Sequence, residues 1–254
     1  MGKVNAPIQD LESGERGLIE VCGLLEIGLR MPANLYWTVL FVALGCSAPH
    51  PDIRVRQLAN GMYEVEGPLA GPFKTREELA QAACVRMIQM PGASTLHGRQ
   101  GKEYCALWYY SPQAEAYFLS YFSDLGGDGP GGRKYCKVPL ALRDASTRDP
   151  VILGPAHPHP HNWEFSREDM GANHAPDWSP WGSARFVDKS GRIWEHELLL
   201  FHGPRNGGCL AYDYNYSSRV VSALRAGRWI PIGKASGTAG DFSFDLFEGQ
   251  SWLP

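Results

Sequence analysis

The sequence lacks several features that would point directly to a familiar functional class. Its net charge is −3, so no global positive field argues for nucleic-acid binding. It contains no internal repeat, and none of its cysteines has CxxC spacing, so a cysteine-based zinc site is not expected. The glycine-rich segment 126–132 lacks the Gly-Lys-Ser/Thr ending of a phosphate-binding loop. We interpret it as a surface loop, with a flexible flap near a cleft as the alternative.

Long hydrophobic runs are also absent. The uncharged apolar segment 35–45 has eleven residues, too few to span a bilayer but enough for a signal-peptide core. Cys46 follows Ala-Leu-Gly, which resembles a bacterial lipoprotein cleavage box, and Ser47 after it resembles outer-membrane sorting. We therefore expect export as a lipoprotein with lipid on Cys46, in the outer membrane or periplasm. The alternative is a buried strand or helix in a cytoplasmic protein, and Met31 is an alternative start.

The residues that are present describe an ordinary globular chain. It has 254 residues, 44% of them hydrophobic and 20% charged, with 29 Gly and 19 Pro. This composition predicts many turns and an α+β domain with long Gly/Pro-rich loops. The capping box Thr75-x-x-Glu78 predicts a helix to about Met90, and a second helix is expected over 217–225. Aromatic runs at 103–110 and 115–121 predict a hairpin.

The most informative segment is 156–169, Ala-His-Pro-His-Pro-His-Asn-Trp-Glu-Phe-Ser-Arg-Glu-Asp. His157 and His159 are two residues apart after a short apolar run, so on a strand both imidazoles face one side. Asp169 follows a Pro-rich turn, at the expected start of a short helix. Two imidazoles and one carboxylate form the three-ligand set of a catalytic zinc, which leaves one position open for water. The alternative is a pair of exposed loop histidines, with Ser166-x-x-Asp169 as a simple helix cap.

This segment resembles the signature of the JAB/MPN (JAMM) metallopeptidases, His-x-His-Pro followed by Ser-x-x-Asp. The resemblance implies that His157, His159 and Asp169 hold Zn²⁺ and that Ser166 helps to bind the oxyanion. Residues 72–202, with Glu103 in a Glu-Tyr strand start, are similar to a bacterial branch of unassigned function. That branch also occurs in Rhs-type secreted proteins. Cys105-Ala106 replaces its small Gly pair, and nine residues separate His159 from Asp169, one fewer than in the best-known members.

The resemblance implies a JAB/MPN-like, cytidine-deaminase-like fold, in which a mixed β-sheet is flanked by helices. It implies hydrolysis of an amide or isopeptide bond in a peptide or protein substrate, with Glu103 as the base that activates water. The predicted organisation is an N-terminal extension with a signal (1–46), a linker with short strands (47–72), the peptidase domain (73–235) and a C-terminal arm (236–254). Two other functions stay open: an inactive JAB-fold lipoprotein that binds a partner, and a toxin- or effector-like domain.

Several further residues are candidates for supporting roles. If the protein is exported, four cysteines predict two disulfides with three pairings open, and buried free thiols are the alternative. Membrane contact is expected only through the lipid anchor. The four cysteines are Cys84, Cys105, Cys136 and Cys209. The substitute metal ligands are His161 and His174, and a second possible metal-binding run is Glu195-His196-Glu197. The aromatic residues that could line a substrate groove are Trp163, Trp178 and Trp181.

Overall fold

Strands dominate the architecture. The computed structural model describes residues 50–94, 100–238 and 240–254, with 43% of residues in strands and 8% in helix. The described part contains a single α-helix, α1, Arg76–Ile88. The expected α+β fold with a JAB/MPN-like sheet flanked by helices is therefore wrong. Loop side chains, including Phe165, Met170 and Phe242, cover the sheet face opposite α1, where flanking helices were expected.

The strands alternate with short connections along the chain. In the first half they are β1 Val55–Gln57, β2 Tyr63–Gly67, β3 Ala70–Phe73, β4 Ala106–Ser111, β5 Ala116–Leu119, β6 Gly126–Asp128, β7 Lys134–Cys136, β8 Ala141–Asp144 and β9 Val151–Pro158. In the second half they are β10 Trp178–Ser179, β11 Gly182–Ser183, β12 Arg185–Val187, β13 Ile193–Glu195, β14 Glu197–His202, β15 Leu210–Asn215, β16 Val220–Arg225, β17 Arg228–Ser236 and β18 Ser243–Leu246.

Nine of these strands form one mixed sheet. Its spatial order is β18-β17-β16-β15-β14-β9-β4-β5-β3. Neighbours pair antiparallel except β9 and β14, which are parallel. Smaller sheets are β1-β2-β8, β6-β7, β10-β11 and β12-β13. β9 thus lies inside the large sheet, with β4 and β14 on either side.

Both faces of the large sheet are buried, and β14 illustrates how. Leu199 and Phe201 belong to the core beneath α1, whereas Leu198 and Leu200 belong to the core on the opposite face. Successive side chains of a strand point to opposite faces, so a strand covered on both sides becomes a continuous apolar run. The run Leu-Leu-Leu-Phe at 198–201 has this character.

The helix begins where its capping box predicts. The Thr75 hydroxyl accepts a hydrogen bond from the Glu78 backbone N–H at 3.2 Å, and the Glu78 carboxylate accepts one from the Lys74 N–H at 2.8 Å. The first interaction satisfies an amide group that the first helical turn leaves free, and the second fixes the chain just before the helix. Leu79, Ala83 and Met87 form part of its buried face, which packs into the core. The predicted helix and the predicted 103–121 hairpin are confirmed, and the short strands expected within 47–72 include β1 and β2, which pair as a hairpin.

The second predicted helix, over 217–225, is wrong. This segment contains β16, whose burial alternates, with Val221 and Ala223 inside. Ala226 and Gly227, both at positive φ, turn the chain into β17. The helix prediction relied on local residue preferences, and pairing with β15 and β17 outweighs these preferences in the folded protein.

Two disulfides connect distant parts of the chain. Cys84 on α1 is bonded to Cys209, and Cys105 is bonded to Cys136 on β7. The sequence left three pairings open, and the structure selects this one. Cys105–Cys136 attaches the β6–β7 hairpin to the segment that leads into β4.

Segments from several predicted domains meet in these sheets. β1 and β2, from the 47–72 segment, pair with each other, and β2 also pairs with β8. β18, from the 236–254 arm, pairs with β17. The predicted signal segment and Cys46 lie outside the described residues. Within the described ranges, no helix is long and apolar enough to cross a membrane.

Candidate metal centre

The two histidines of the His-x-His segment lie at the carboxyl end of β9. His157 is paired with Leu200 of β14, and the His159 backbone N–H donates to the Phe201 carbonyl at 2.8 Å. This extended backbone directs both imidazoles to one side, and their rings stack with centroids 4.9 Å apart. Both side chains are buried, at 5% and 7% relative exposure. The predicted shared face of the two histidines is confirmed.

A tight turn brings Asp169 to the same place. The Ser166 N–H donates to Asp169 Oδ2 at 2.8 Å, and the Asp169 N–H donates to Ser166 Oγ at 3.0 Å. This reciprocal pair is the capping arrangement expected from Ser-x-x-Asp. A turn stands where a short helix was expected. The turn fixes the orientation of the carboxylate without a helix behind it.

The candidate ligand atoms of the three side chains are close together. His157 Nε2 and His159 Nε2 are 3.2 Å apart, His159 Nε2 and Asp169 Oδ2 are 3.3 Å apart, and His157 Nε2 and Asp169 Oδ1 are 3.6 Å apart. Their side chains form a group that could hold a metal ion. The sequence-predicted set His157, His159 and Asp169 therefore converges in the fold.

A contact with the backbone fixes the tautomer of the His159 imidazole in a form that suits metal binding. His159 Nδ1 lies 2.9 Å from the Glu164 carbonyl oxygen, which can only accept, so Nδ1 carries the proton. When the imidazole is neutral, the lone pair is therefore on Nε2, the nitrogen that faces Asp169. A backbone carbonyl that fixes a histidine tautomer is a common second partner of a metal-binding histidine.

Burial and neighbouring charges shift the pKa values of all three side chains in this cluster. Burial lowers the pKa of His157 to about 4, so this imidazole is neutral at physiological pH. Burial alone would also lower the pKa of His159, but the hydrogen bond and negative charge of Asp169 raise it above its ordinary value. Burial alone would raise the pKa of Asp169, but His157, His159 and the Ser166 N–H hold it below its ordinary value. Asp169 is therefore a carboxylate.

Glu103 borders this cluster. Its Oε1 atom lies 3.9 Å from His159 Nε2, and its relative exposure is 9%. Burial raises its pKa to about 7, and the negative charge of Asp169 adds to this effect. Glu103 precedes β4 by three residues and is held in place by the backbone pairing of Cys105 with Ser123. The structure thus brings the predicted base beside the three candidate ligands.

These side chains open onto a cleft of about 620 Å³. Glu103, His157, His159, Ser166 and Asp169 form its floor, and the β6–β7 hairpin supplies one wall through residues 133–136. Of the three tryptophans expected at a groove, Trp178 alone is among the lining residues; Trp163 packs against His202 and Trp181 lies beside His196. The glycine-rich segment 126–132, interpreted as a surface loop with a flap near a cleft as the alternative, belongs to this hairpin and contributes Gly129 to the lining. Sequence reasoning missed the contribution of residues 133–136 and of Tyr216.

The substitute ligands play other roles. His161 lines the cleft outside the ligand group, and His174 stacks on Trp178 with ring centroids 3.7 Å apart. His196 Nδ1 lies 2.8 Å from the Ser179 hydroxyl in a buried turn. Glu195 and Glu197 both accept hydrogen bonds from Asn215, away from the cleft. None of these five residues belongs to either possible metal-holding group in the described chain.

The second such group overlaps the first. Cys105, Cys136 and His157 each place a ligand atom within 4.8 Å of the others. The two cysteines are joined in a disulfide, so they lack thiolate groups in this state.

Comparisons with known proteins add no family assignment. The chain matches no protein-family model, no curated protein and no solved structure.

Proposed function

We propose that this protein is a zinc-dependent hydrolase that cleaves an amide or isopeptide bond in a peptide or protein. The observation that supports this most is the close approach of the three ligand side chains: the two Nε2 atoms are 3.2 Å apart, and they lie 3.3 and 3.6 Å from the two carboxylate oxygens of Asp169. Ligand atoms 2.0–2.1 Å from a tetrahedral zinc lie roughly 3.3 Å from one another, so the cluster fits this ion closely. A bound zinc ion would supply a water of lowered pKa and would polarise the scissile carbonyl.

The donor atoms have the chemistry that zinc requires. Two neutral imidazole nitrogens and one carboxylate oxygen form the donor set of a catalytic site, and Ca²⁺ or Mg²⁺ would favour oxygen ligands throughout. The Nδ1 contact with Glu164 leaves Nε2 as the metal-binding nitrogen of His159, and metal binding there would release any proton that Nε2 shares with Asp169. With three protein ligands, a fourth position remains for water on the side that faces the cleft.

Glu103 is the proposed general base. It lies beside the ligands without belonging to their group, and burial raises its pKa to about 7. A carboxylate with a pKa near the working pH can take a proton from the attacking water and later give it to the leaving amine. The neighbouring Asp169 is kept ionised by its surroundings, so the two carboxyl groups have different tasks.

Ser166 is the proposed donor to the developing oxyanion. Its Oγ atom accepts a hydrogen bond from the Asp169 N–H at 3.0 Å, which holds the hydroxyl at the floor of the cleft. The hydroxyl proton remains free to donate to a substrate oxygen as negative charge forms there. The resemblance of this segment to the JAMM signature favours an amide as the bond that is cleaved.

The test combines metal analysis with a peptide-substrate screen on the purified chain. We expect about one zinc per chain in the wild type, loss of zinc in Asp169→Ala, and retention of zinc without turnover in Glu103→Gln. Hydrolysis by Glu103→Gln at the wild-type rate would remove Glu103 from the mechanism. A wild-type chain without metal, purified without chelators, would refute the hydrolase and favour a partner-binding module.

We also propose that the protein is exported and anchored by lipid on Cys46. Two disulfides are typical of an oxidising compartment and support this location. Cell fractionation of the wild type and Cys46→Ser tests the anchor. We expect the wild type with the membranes and the variant in the soluble fraction. Equal distribution of the two proteins would contradict the proposal.

A further inference from the structure

The Cys105–Cys136 disulfide lies directly against the candidate metal centre. Both sulfur atoms and a ring nitrogen of His157 are within 4.8 Å of one another. Cys105 is fully buried, whereas Cys136 is half-buried and lines the cleft, so a reductant can reach the bond from that side. The disulfide is thus an accessible neighbour of a proposed zinc ligand.

We propose that reduction of this disulfide creates a second metal site, formed by Cys105, Cys136 and His157, which takes zinc or another thiophilic divalent cation. A dithiol reductant supplies two electrons and two protons. The sulfur–sulfur bond breaks, two thiols form, and the reductant leaves as its own disulfide. Metal binding then releases the thiol protons to solvent. This site does not depend on the proposed hydrolysis.

The fold allows the sulfur atoms to adjust after reduction. Cys105 is fixed, because its backbone exchanges hydrogen bonds with Ser123 at 3.0 and 2.7 Å. Cys136 instead lies on the β6–β7 hairpin, a sheet of only two strands. Movement of this hairpin leaves the nine-stranded sheet unchanged. One ligand is therefore rigid and the other is carried by an element that can shift toward a bound ion.

The two metal sites compete because they share His157. A neutral imidazole has one lone pair for a metal, whichever ring nitrogen provides it. Two thiolates and an imidazole suit zinc well, since thiolates are softer ligands than a carboxylate. We therefore expect reduction to move zinc away from His159 and Asp169, which removes it from the proposed catalytic arrangement.

The other disulfide provides a matched internal comparison. Cys84 and Cys209 belong to neither group of possible metal ligands in the described part of the chain. Reduction exposes thiols at both disulfides, but among the described residues a third ligand is available only beside Cys105 and Cys136. A signal from the proposed site should therefore survive Cys84→Ser/Cys209→Ser.

The experiment uses Co²⁺ as the probe on the full chain, reduced with a dithiol and freed of reductant without oxygen. We expect a thiolate-to-cobalt charge-transfer band in the reduced wild type and no such band in the oxidised protein. The band should disappear in Cys136→Ser and in His157→Ala and persist in Cys84→Ser/Cys209→Ser. Persistence in His157→Ala would indicate thiols of an unfolded chain and would overturn the proposal.

Asp169→Ala separates this proposal from the hydrolase. The second site does not use Asp169, so this variant should bind almost no cobalt when oxidised and about one equivalent when reduced. Circular dichroism before and after reduction checks that the sheet persists. If reduced Asp169→Ala stays folded and binds no cobalt, the thiolate site is refuted while the His157/His159/Asp169 site remains untouched.

Discussion

Arg76→Met should destabilise the protein strongly, because Arg76 compensates buried negative charge. Its Nη2 atom lies 2.6 Å from Glu197 Oε2 and 3.0 Å from Asp213 Oδ2. The two carboxylate side chains are only 10% and 7% exposed. Burial raises the pKa of both carboxyls, and the charge of Arg76 opposes this rise. One cation therefore faces two acids in the interior of the protein.

The expected loss of stability follows from the free energy of protonating a carboxyl group, because a proton must neutralise the charge that Arg76 neutralises in the wild type. Without Arg76, one more carboxyl group must be neutral in the folded state. Holding a proton on a carboxyl with an unfolded pKa near 4.3 costs about 1.4 kcal/mol per pH unit, or about 5 kcal/mol at pH 8 and about 1 kcal/mol at pH 5. Loss of one partner of a buried ion pair costs about 3–5 kcal/mol in general, which agrees with the value at pH 8.

The sign of the pH dependence is fixed by the raised pKa. A carboxyl whose folded pKa exceeds its unfolded pKa stabilises the protein below the unfolded value and loses that contribution as pH rises through the folded value. The deficit of Arg76→Met relative to wild type should therefore grow from pH 5 to pH 8. Urea unfolding of both proteins at these two pH values measures it.

Arg86→Met on the same helix is the matched control. Arg86 pairs with Asp52 at 2.9 Å, but its side chain is 42% exposed, so the pair contributes at most about 1 kcal/mol. If Arg76→Met loses no more stability than Arg86→Met at pH 8, or loses the same amount at pH 5 and pH 8, the account of buried charge is refuted.

Three further changes test local features by urea unfolding. Thr75→Ala removes the hydroxyl that accepts from the Glu78 N–H and should cost about 1 kcal/mol; no loss would mean that water replaces the cap. Gly154→Ala places a Cβ atom 1.6 Å from the Glu197 carbonyl oxygen and should cost at least about 3 kcal/mol, whereas Gly240→Ala, with nothing within 4 Å, should be nearly neutral. Zinc at 100 times its dissociation constant should stabilise the wild type by about 2.7 kcal/mol, and an unchanged unfolding midpoint would contradict a zinc site.

The parts of the fold that the sequence predicts well are those with strong local chemistry. The capping box at Thr75 and the aromatic hairpin around 103–121 carry their signals within a few residues, and both are present. The error at 217–225 has the opposite origin. Ala223, Leu224 and Arg225 are good helix formers, yet the neighbouring strands β15 and β17 decide their conformation.

The candidate site likewise contains some residues that local sequence spacing reveals and others that it does not. His157, His159 and Asp169 lie within thirteen positions of one another, so their spacing is visible in the sequence. Glu103 is more than fifty positions away, and only the family resemblance singled it out. The sequence offered a flap at 126–132 only as an alternative, and it could not attach the hairpin to the site, because the Cys105–Cys136 bond was one of several open pairings.

The topology explains why the ligands converge although the expected fold class is wrong. β9 and β14 are parallel neighbours, so the chain must cross from the carboxyl end of β9 to the opposite end of the sheet before β14 begins. His159 leaves β9 at this end, and the turn with Ser166 and Asp169 is the first part of the crossing. A carboxylate ten positions after His159 is therefore still above the end of the strand that carries both histidines. The convergence needs one parallel strand pair and one tight turn, and it does not need helices on either face of the sheet.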